Sequence, residues 1–248
     1  MTKITNFLPC LLFASALFFS ANTYSQLELP VGGNDETGFV SIFDGKTFDN
    51  WLGDPAYWSI KDGIMTGTVT PENLLKENSF IVWQGGTPQN FELKMEYRVS
   101  DKGNSGINYR SQYVETGLNN KYALKGYQLD IDGEGCCAGM CYEERGRTFL
   151  AMRGEVVRIC TNEKPQIVGS IDSSESLWNE SIKENDWNEA HVIARDNVLI
   201  HIINGRVMSV VIDDDSEKRT AKGYIGVQVH VGPPMTIEYK NIRLKELK

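Results

Sequence analysis

The nine residues FELKMEYRV, Phe91–Val99, alternate strictly between apolar and charged side chains. Successive side chains of a β-strand point to opposite faces of a sheet, so this period of two predicts a half-buried strand. Residues 223–231 repeat the pattern, with aliphatic side chains on one face and Gln228 and His230 on the other. The two segments therefore predict sheets that bury one face against a core.

A hairpin is predicted near the end of the chain. Residues 198–203 and 207–212 are apolar runs joined by Asn204 and Gly205. An Asn-Gly pair between two such runs favours a tight turn, because both residues tolerate a positive φ. Residues 237–244 predict a last strand.

Helical signal is scarce. Residues 173–182 predict one short helix capped by Ser173 or Ser174, whose hydroxyl can accept a backbone N–H. Many short strands with turn residues between them predict an all-β, two-sheet antiparallel jelly-roll sandwich.

The chain divides into three predicted parts. Residues 1–25 predict a secretory signal peptide, with Lys3 before an apolar run and small residues near a cleavage point. Residues 26–37 predict a flexible lead-in, and residues 38–248 a single β-sandwich domain. The apolar run is short for a membrane span, so an uncut N-terminal anchor is the alternative. We expect an exported protein, periplasmic or secreted, with no membrane association after cleavage.

The charge balance argues against one class of partner. The 248 residues carry 25 Lys and Arg against 33 Asp and Glu, a formal net charge of −8. Nucleic-acid binding needs a basic surface, so no nucleic-acid partner is expected. The oligomeric state does not follow from the sequence.

Four of the five cysteines follow the predicted signal peptide. They are Cys136, Cys137, Cys141 and Cys160. In an exported protein an even number favours disulfide bonding, with the pairing left open. Free thiols and a zinc site are the alternatives, although the spacing fits zinc poorly.

Three predicted strands carry polar side chains opposite their apolar ones. Side chains two apart on a strand point the same way, so each row would lie on one sheet face. A solvated outer face is one interpretation. Planar groups that donate and accept in fixed geometry also suit sugar hydroxyls. The candidates are Asn104, Asn108, Arg110, Gln128, Asp130, Gln228 and His230.

The segment YEERGR, residues 142–147, places two carboxylates among arginines, and Arg153 follows soon after. An exposed charged loop is one interpretation. The other is a site loop that holds an acid or a base beside a cation.

The order of these segments resembles the 3-keto-disaccharide hydrolase family. Its opening "LFDGKTLDGW" is similar to IFDGKTFDNW at residues 42–51, and its "NSGI-x-x-R" to residues 104–110. Residues 126–130, 187–189, 204–205, 226–230 and 239–242 continue the pattern in order. The resemblance implies a concanavalin-A-like sandwich, with a site on its concave face near residues 104–106 and the strand of Gln228 and His230.

The chemistry hypothesised for such a site is cleavage of 3-keto-glycosides. A ketone at C3 acidifies the C2 proton; a base removes it, the enolate expels the C1 substituent, and water adds. Candidate roles are Glu144 or His230 as base, Arg145 or Arg110 at the enolate, and Glu143 as acid. Candidates for binding the carbohydrate substrate are Asn104, Asn108, Arg110, Gln128, Asp130, Tyr142, Arg153 and Gln228.

Two other functions stay open at this stage. One is a non-catalytic, lectin-like carbohydrate-binding module. The other is a conventional endoglucanase of the same fold, whose carboxylate strand motif we do not find. No cofactor is predicted; a divalent metal ion could serve as the electrophile, but no ligand set is assigned to it.

Overall fold

The computed structural model describes residues 36–118 and 120–248, and this part of the chain forms seventeen strands and one helix. The predicted signal peptide lies outside the described residues. The strands are β1 (Val40–Ser41), β2 (Trp51–Leu52), β3 (Trp58–Lys61), β4 (Ile64–Val69), β5 (Ser79–Trp83), β6 (Phe91–Val99), β7 (Asn104–Tyr113), β8 (Leu124–Asp132), β9 (Cys141–Glu144), β10 (Thr148–Ala151), β11 (Glu155–Cys160), β12 (Gln166–Ser170), β13 (Asn188–Arg195), β14 (Val198–Ile203), β15 (Arg206–Asp214), β16 (Tyr224–Val229) and β17 (Met235–Glu246). The helix α1 (Ser174–Ser181) lies between β12 and β13.

Two sheets account for all these strands. A ten-stranded sheet has the order β12-β11-β15-β14-β13-β6-β17-β4-β3, with β1 paired to β17. A seven-stranded sheet has the order β10-β9-β8-β7-β16-β5-β2. Every recorded strand pair is antiparallel except β11 with β15. The predicted fold class, an all-β two-sheet sandwich, is confirmed.

The local predictions hold where the sequence signal was strongest. The alternating segment is β6, hydrogen-bonded between β13 and β17. In the β14–β15 hairpin Asn204 and Gly205 have φ of 49° and 79°, the left-handed values that a type I′ turn requires. The N-cap of α1 is Ser173, whose hydroxyl accepts the N–H of Ser176.

The core lies between the inner faces of the two sheets. From the seven-stranded sheet it takes side chains such as Ile107, Leu129 and Val227, all at most 1% exposed. The register pairs Ile107 with Leu129 and, one residue along, Asn108 with Gln128. Strand alternation therefore places Asn108 and Gln128 together on the outer face of this sheet.

Of the predicted lead-in, the structure describes only residues 36 and 37. Glu36 accepts hydrogen bonds from Lys94 at 3.0 Å and from Arg243 at 2.7 Å. Residues 26–35 lie outside the described part, so the flexible lead-in stays a prediction.

No helix in the described ranges has the length and hydropathy that a bilayer-spanning segment needs.

Candidate active site

Five polar side chains gather on the outer face of the seven-stranded sheet. Strands β7, β8, β9 and β16 each contribute at least one of them. We call them the amide–carboxylate cluster: Asn108, Gln128, Asp130, Glu144 and Gln228, each at most 7% exposed. Cross-strand register brings them together, since Asn108 pairs with Gln128 on one side and with Gly226 on the other.

Hydrogen bonds connect part of the cluster into a chain. Gln228 Nε2 donates to Gln128 Oε1 at 3.3 Å, and Gln128 Nε2 donates to Asp130 Oδ1 at 2.6 Å. Gly106 makes room for this chain, because a Cβ at residue 106 would lie 2.3 Å from the Gln128 amide carbon. Packing against Gln128 therefore requires a glycine at this position of the Asn-Ser-Gly segment.

Some atoms of the cluster have no hydrogen-bond partner within residues 36–118 and 120–248. These are Oδ1 and Nδ2 of Asn108 and Oε1 of Gln228. Buried polar groups in folded proteins are nearly always hydrogen-bonded, and leaving one without a partner costs about 1–3 kcal/mol. A carboxamide with both ends free has an unused acceptor oxygen and an unused NH₂ donor group.

Asp130 has an unusual acidity. Burial raises its pKa to about 7, and the nearby charges of Asp132 and Glu144 act in the same direction. The hydrogen bond from Gln128 opposes this rise only in part. Near neutral pH this carboxyl group can therefore both hold and release a proton.

Glu144 lies in a different environment. Burial also raises its pKa, but hydrogen bonds from Asn78 and Gln228 and the charge of Arg145 favour its anion. Asn78 Nδ2 is 3.4 Å from both carboxylate oxygens, and Arg145 Nε is 3.8 Å from one of them. The two carboxylates of the cluster thus have unlike surroundings: Asp130 has one hydrogen bond from Gln128, whereas Glu144 has two hydrogen-bonding partners and a nearby cation.

Asn78 was missed by the sequence reasoning. It precedes β5, and while its amide nitrogen faces Glu144, its Oδ1 accepts the backbone N–H of Val231 at 3.0 Å. No periodic pattern marks a loop residue, so the sequence carried no signal for it.

Three more predicted site residues border the cluster. Tyr142 pairs with Gln128 across β8 and β9, and its ring packs edge-on against Phe149. Asn104 begins β7 beside Asp132 and is half-buried. His230 directly follows β16, and burial lowers the pKa of its imidazole, so the ring is neutral near pH 7.

Comparison with known proteins identifies the family. The sequence profile of the 3-keto-alpha-glucoside-1,2-lyase-like domain matches residues 38–245. The chain belongs to this family. A 96-residue stretch is 40% identical to the 3-keto-disaccharide hydrolase of Bacteroides thetaiotaomicron, covering 36% of this chain and 32% of that protein. The chain thus spans about a third of the length of this curated relative.

Two solved structures agree on the fold. A candidate glycosyl hydrolase from Parabacteroides distasonis has a TM-score of 0.55 and 18% identity, over 85% of this chain and 94% of that one. The carbohydrate-binding module CBM66 of Bacillus subtilis has a TM-score of 0.50 and 12% identity, over 79% and 96%. At these identities the likeness shows the fold alone. Family membership supports a carbohydrate-active enzyme.

In this member of the family Arg110 does not join the cluster, and the face predicted for it is wrong. A register shift follows Tyr109, and Arg110 itself has a φ of 48°, so strand alternation fails there. Its guanidinium donates to the backbone oxygens of Gln89 and Asp196, at 2.7 and 2.8 Å. Arg110 therefore ties β7 to loops of the other sheet.

Glu143 lies on the opposite face of β9 from Glu144, because they are successive residues of one strand. Its carboxylate accepts from Arg147 Nε at 2.7 Å, and the same guanidinium contacts Asp213 at 2.6 Å. The structure thus separates the two carboxylates for which the sequence predicts one shared loop. Arg145 lies at the edge of the cluster, with its Nη2 bonded to Glu77 at 2.9 Å and its Nε 3.8 Å from Glu144.

Arg153 also stays outside the cluster. It donates to the backbone oxygens of Gly135, Ala138 and Ser174, and it packs over Trp178. It supports the loop between β8 and β9.

The cysteines described after the predicted signal peptide are free thiols in this structure. Cys141 is buried in the core beside the hydroxyl of Tyr109, while Cys136 is exposed. The favoured expectation of a stabilising disulfide is therefore not met here.

Proposed function

We propose that this protein cleaves 3-keto-glycosides by removing the C2 proton, eliminating the C1 substituent and hydrating the product. The observation that carries the proposal is a buried cluster with two carboxylates in unlike environments beside the unpaired amide of Asn108. The family and its 3-keto-disaccharide hydrolase relative support the same substrate class.

Glu144 is the proposed base. Burial raises the pKa of its carboxyl group, while the hydrogen bonds from Asn78 and Gln228 and the charge of Arg145 oppose that rise. In the proposed mechanism its carboxylate accepts the C2 proton. The ketone at C3 makes that proton acidic, and the electron pair of the C–H bond moves into the enolate. One positioned base of this kind contributes about 10²–10⁴-fold to a rate.

Asp130 is the proposed acid. With a pKa raised to about 7 it holds a proton that the leaving C1 oxygen takes as the C1–O bond breaks. This assignment replaces Glu143, which lies on the other face of β9 with Arg147. Water then adds at C1, and C2 takes up a proton.

Neutral and cationic donors complete the proposed site. Asn108, Gln128 and Gln228 would hold the sugar hydroxyls, because an amide can donate and accept in one plane. Arg145 is proposed to stabilise the enolate oxygen, and the neutral imidazole of His230 would offer a hydrogen bond at the edge of the cluster. We also propose that residues 1–25 direct export to the periplasm or beyond.

Solvent exchange tests this mechanism. A 3-keto-disaccharide and its non-oxidised parent are incubated with the protein in deuterated water, and the released sugars are analysed for deuterium. Elimination followed by hydration places deuterium at C2 of the 3-keto product. Direct hydrolysis through an oxocarbenium ion leaves the C2 hydrogen in place, so an unlabelled product would reject the mechanism.

Two controls make the result specific. Substrate without protein measures spontaneous exchange beside the ketone, and the Glu144→Gln variant measures exchange that does not need the proposed base. Cleavage of the non-oxidised parent at an equal rate would rule out the enolate route. Binding of both sugars without release of either would instead indicate a carbohydrate-binding module.

A further inference from the structure

The loop between β8 and β9 is held around one carboxylate. Asp132, the last residue of β8, has each of its two oxygens in two hydrogen bonds from the loop backbone. The donors are the N–H groups of Glu134 and Cys136 to Oδ1, at 2.9 and 3.1 Å, and those of Cys137 and Ala138 to Oδ2. Arg153 binds backbone oxygens on both sides of the cysteine pair. The loop therefore presents its two cysteines in a fixed geometry.

Two sulfur atoms meet at the tip of this loop. The Sγ atoms of Cys136 and Cys137 are 2.7 Å apart, and Cys136 is exposed to solvent. Together with Asp132 they bring three potential metal ligands within 4.8 Å of one another. The Asp132 oxygens already accept four N–H groups, which fill their lone pairs, so the two sulfurs remain as the reactive groups.

We propose that Cys136 and Cys137 form a redox-active pair that closes reversibly to a disulfide between adjacent residues. Consecutive Cα atoms are ~3.8 Å apart, whereas disulfide-bonded cysteines are usually about 4.4–6.8 Å apart. A ring closed at the shorter separation is strained, and strained or exposed disulfides are the labile ones. The pair is therefore a reversible modification site, in contrast to the permanent disulfide that the cysteine count suggested.

The oxidant is a small disulfide such as oxidised glutathione. The Cys136 thiolate attacks one sulfur of the oxidant, whose S–S bond breaks and releases one molecule of reduced glutathione. Cys137 then gives its proton to solvent, and its sulfur attacks Cys136, releasing the second molecule. Two protein thiols are oxidised and one disulfide is reduced, so atoms and electrons balance.

The environment assigns the two roles. Burial raises the pKa of the Cys137 thiol, and its contact with Cys136 and the charge of Asp132 add to the rise. A protonated, partly buried thiol is a poor first nucleophile and suits the second step. The exposed Cys136 can meet the oxidant.

The loop also adjoins the proposed active site. Asp130 donates its backbone N–H to the oxygen of Met140 and accepts the N–H of Gly139, where the loop returns to β9. Closing the disulfide ring would fix the backbone N–H groups of Cys136 and Cys137, which donate to Asp132. Asp132 lies two residues from Asp130 on β8.

Alkylation and mass spectrometry test the proposal. The full chain is treated with oxidised glutathione or with a reductant, then unfolded and alkylated. We expect the oxidised sample to carry two fewer alkyl groups. The tryptic fragment of residues 126–145 should contain an internal disulfide and an alkylated Cys141. Reduced glutathione should restore both alkylation sites.

Two variants decide between pairings. In Cys136→Ser, oxidation should no longer remove two alkylation sites. In Cys160→Ser, the matched control at the end of β11, oxidation should still remove them. An unchanged alkyl count in the oxidised wild type, a stable glutathione adduct on Cys136, or a disulfide that includes Cys141 or Cys160 would each overturn the proposal. None of these readouts uses substrate turnover, so the outcome is independent of the proposed enzymatic activity.

Discussion

Two buried polar clusters lie on opposite faces of strand β9. On the inner side Arg147 binds Glu143 at 2.7 Å and Asp213 at 2.6 Å and is 3.6 Å from Asp215. The hydroxyl of Tyr127 donates to Asp213 as well. On the outer side the amide–carboxylate cluster contains two carboxylates but no cation nearer than Arg145, among the described residues, at 3.8 Å from Glu144.

The two clusters differ in how many of their buried polar atoms have hydrogen-bonding or ionic partners. Around Arg147 each buried carboxylate has a cationic or hydrogen-bonding partner, which is what a structural ion network requires. In the amide–carboxylate cluster Asn108 and Gln228 leave atoms unpaired, and the pKa of Asp130 is raised to about 7. A fold retains such uncompensated groups where they serve a ligand or a reaction.

Replacing one carboxylate on each face of β9 gives the largest expected difference, a loss of activity in one variant and a loss of stability in the other. Glu144→Gln should lower kcat/KM for a 3-keto-disaccharide by about 10²–10⁴-fold, because the amide cannot accept the C2 proton. Glu143→Gln removes a charge-assisted hydrogen bond to Arg147 and should lower the free energy of unfolding by about 1–3 kcal/mol. Its activity per folded molecule should stay near that of the wild type.

Steady-state kinetics and urea unfolding on both variants check this contrast. The same loss of activity in folded Glu143→Gln would show that the inner cluster takes part in the reaction. Full activity in Glu144→Gln would remove the proposed base.

The next largest effect is expected in the pH dependence of the free energy of unfolding, because the pKa of Asp130 is raised. Its folded pKa of about 7 lies above the usual aspartate value of 3.8, so the wild type gains stability below pH ~4. That contribution is lost as the pH rises through about 7, where a buried carboxylate must ionise. Asp130→Asn cannot ionise, and relative to the wild type it should gain up to about 4 kcal/mol between pH 4 and pH 8.

Unfolding curves of both proteins at pH 4, 6 and 8 measure this gain. A difference that does not change with pH would mean that Asp130 is ionised throughout, and the proposed acid would then have no proton to give. In the wild type, kcat/KM should also fall on the alkaline side of pH ~7 as Asp130 loses its proton.

The sequence was sufficient for the fold because strand alternation is a local property. The segment Phe91–Val99 and the Asn204-Gly205 turn needed no knowledge of distant residues. The same alternation grouped Asn108, Gln128 and Gln228 on one face, since each lies in a regular part of its strand.

The misplaced site residues depend on features that a pattern does not contain. Arg110 follows a register shift, so the alternation that held for Asn108 no longer applied two residues later. The charged sequence around Glu143 and Glu144 predicts a loop, although the two are successive residues of β9 and therefore face apart. Asn78 reaches Glu144 from a position 66 residues away in the chain, which only the folded structure reveals.

The smallest expected effect compares two buried asparagines. Both amide ends of Asn108 are unpaired in the described structure, whereas Asn188 bonds to Lys183, Asp186 and Asn204. Asn108→Leu should therefore leave the free energy of unfolding unchanged or raise it by about 1 kcal/mol, because an apolar group of similar shape no longer buries unpaired atoms. Asn188→Leu should lower it by about 1–3 kcal/mol, since its partners lose their hydrogen bonds.

Substrate affinity then separates a binding role for Asn108 from a simple packing defect. If its amide holds a sugar hydroxyl, Asn108→Leu raises KM for the 3-keto-disaccharide by about tenfold, the equivalent of one lost hydrogen bond of ~1.4 kcal/mol. A stable variant with an unchanged KM would mean that the unpaired amide is tolerated without function. The outer cluster would then differ from the Arg147 cluster only in having buried polar atoms without hydrogen-bond partners.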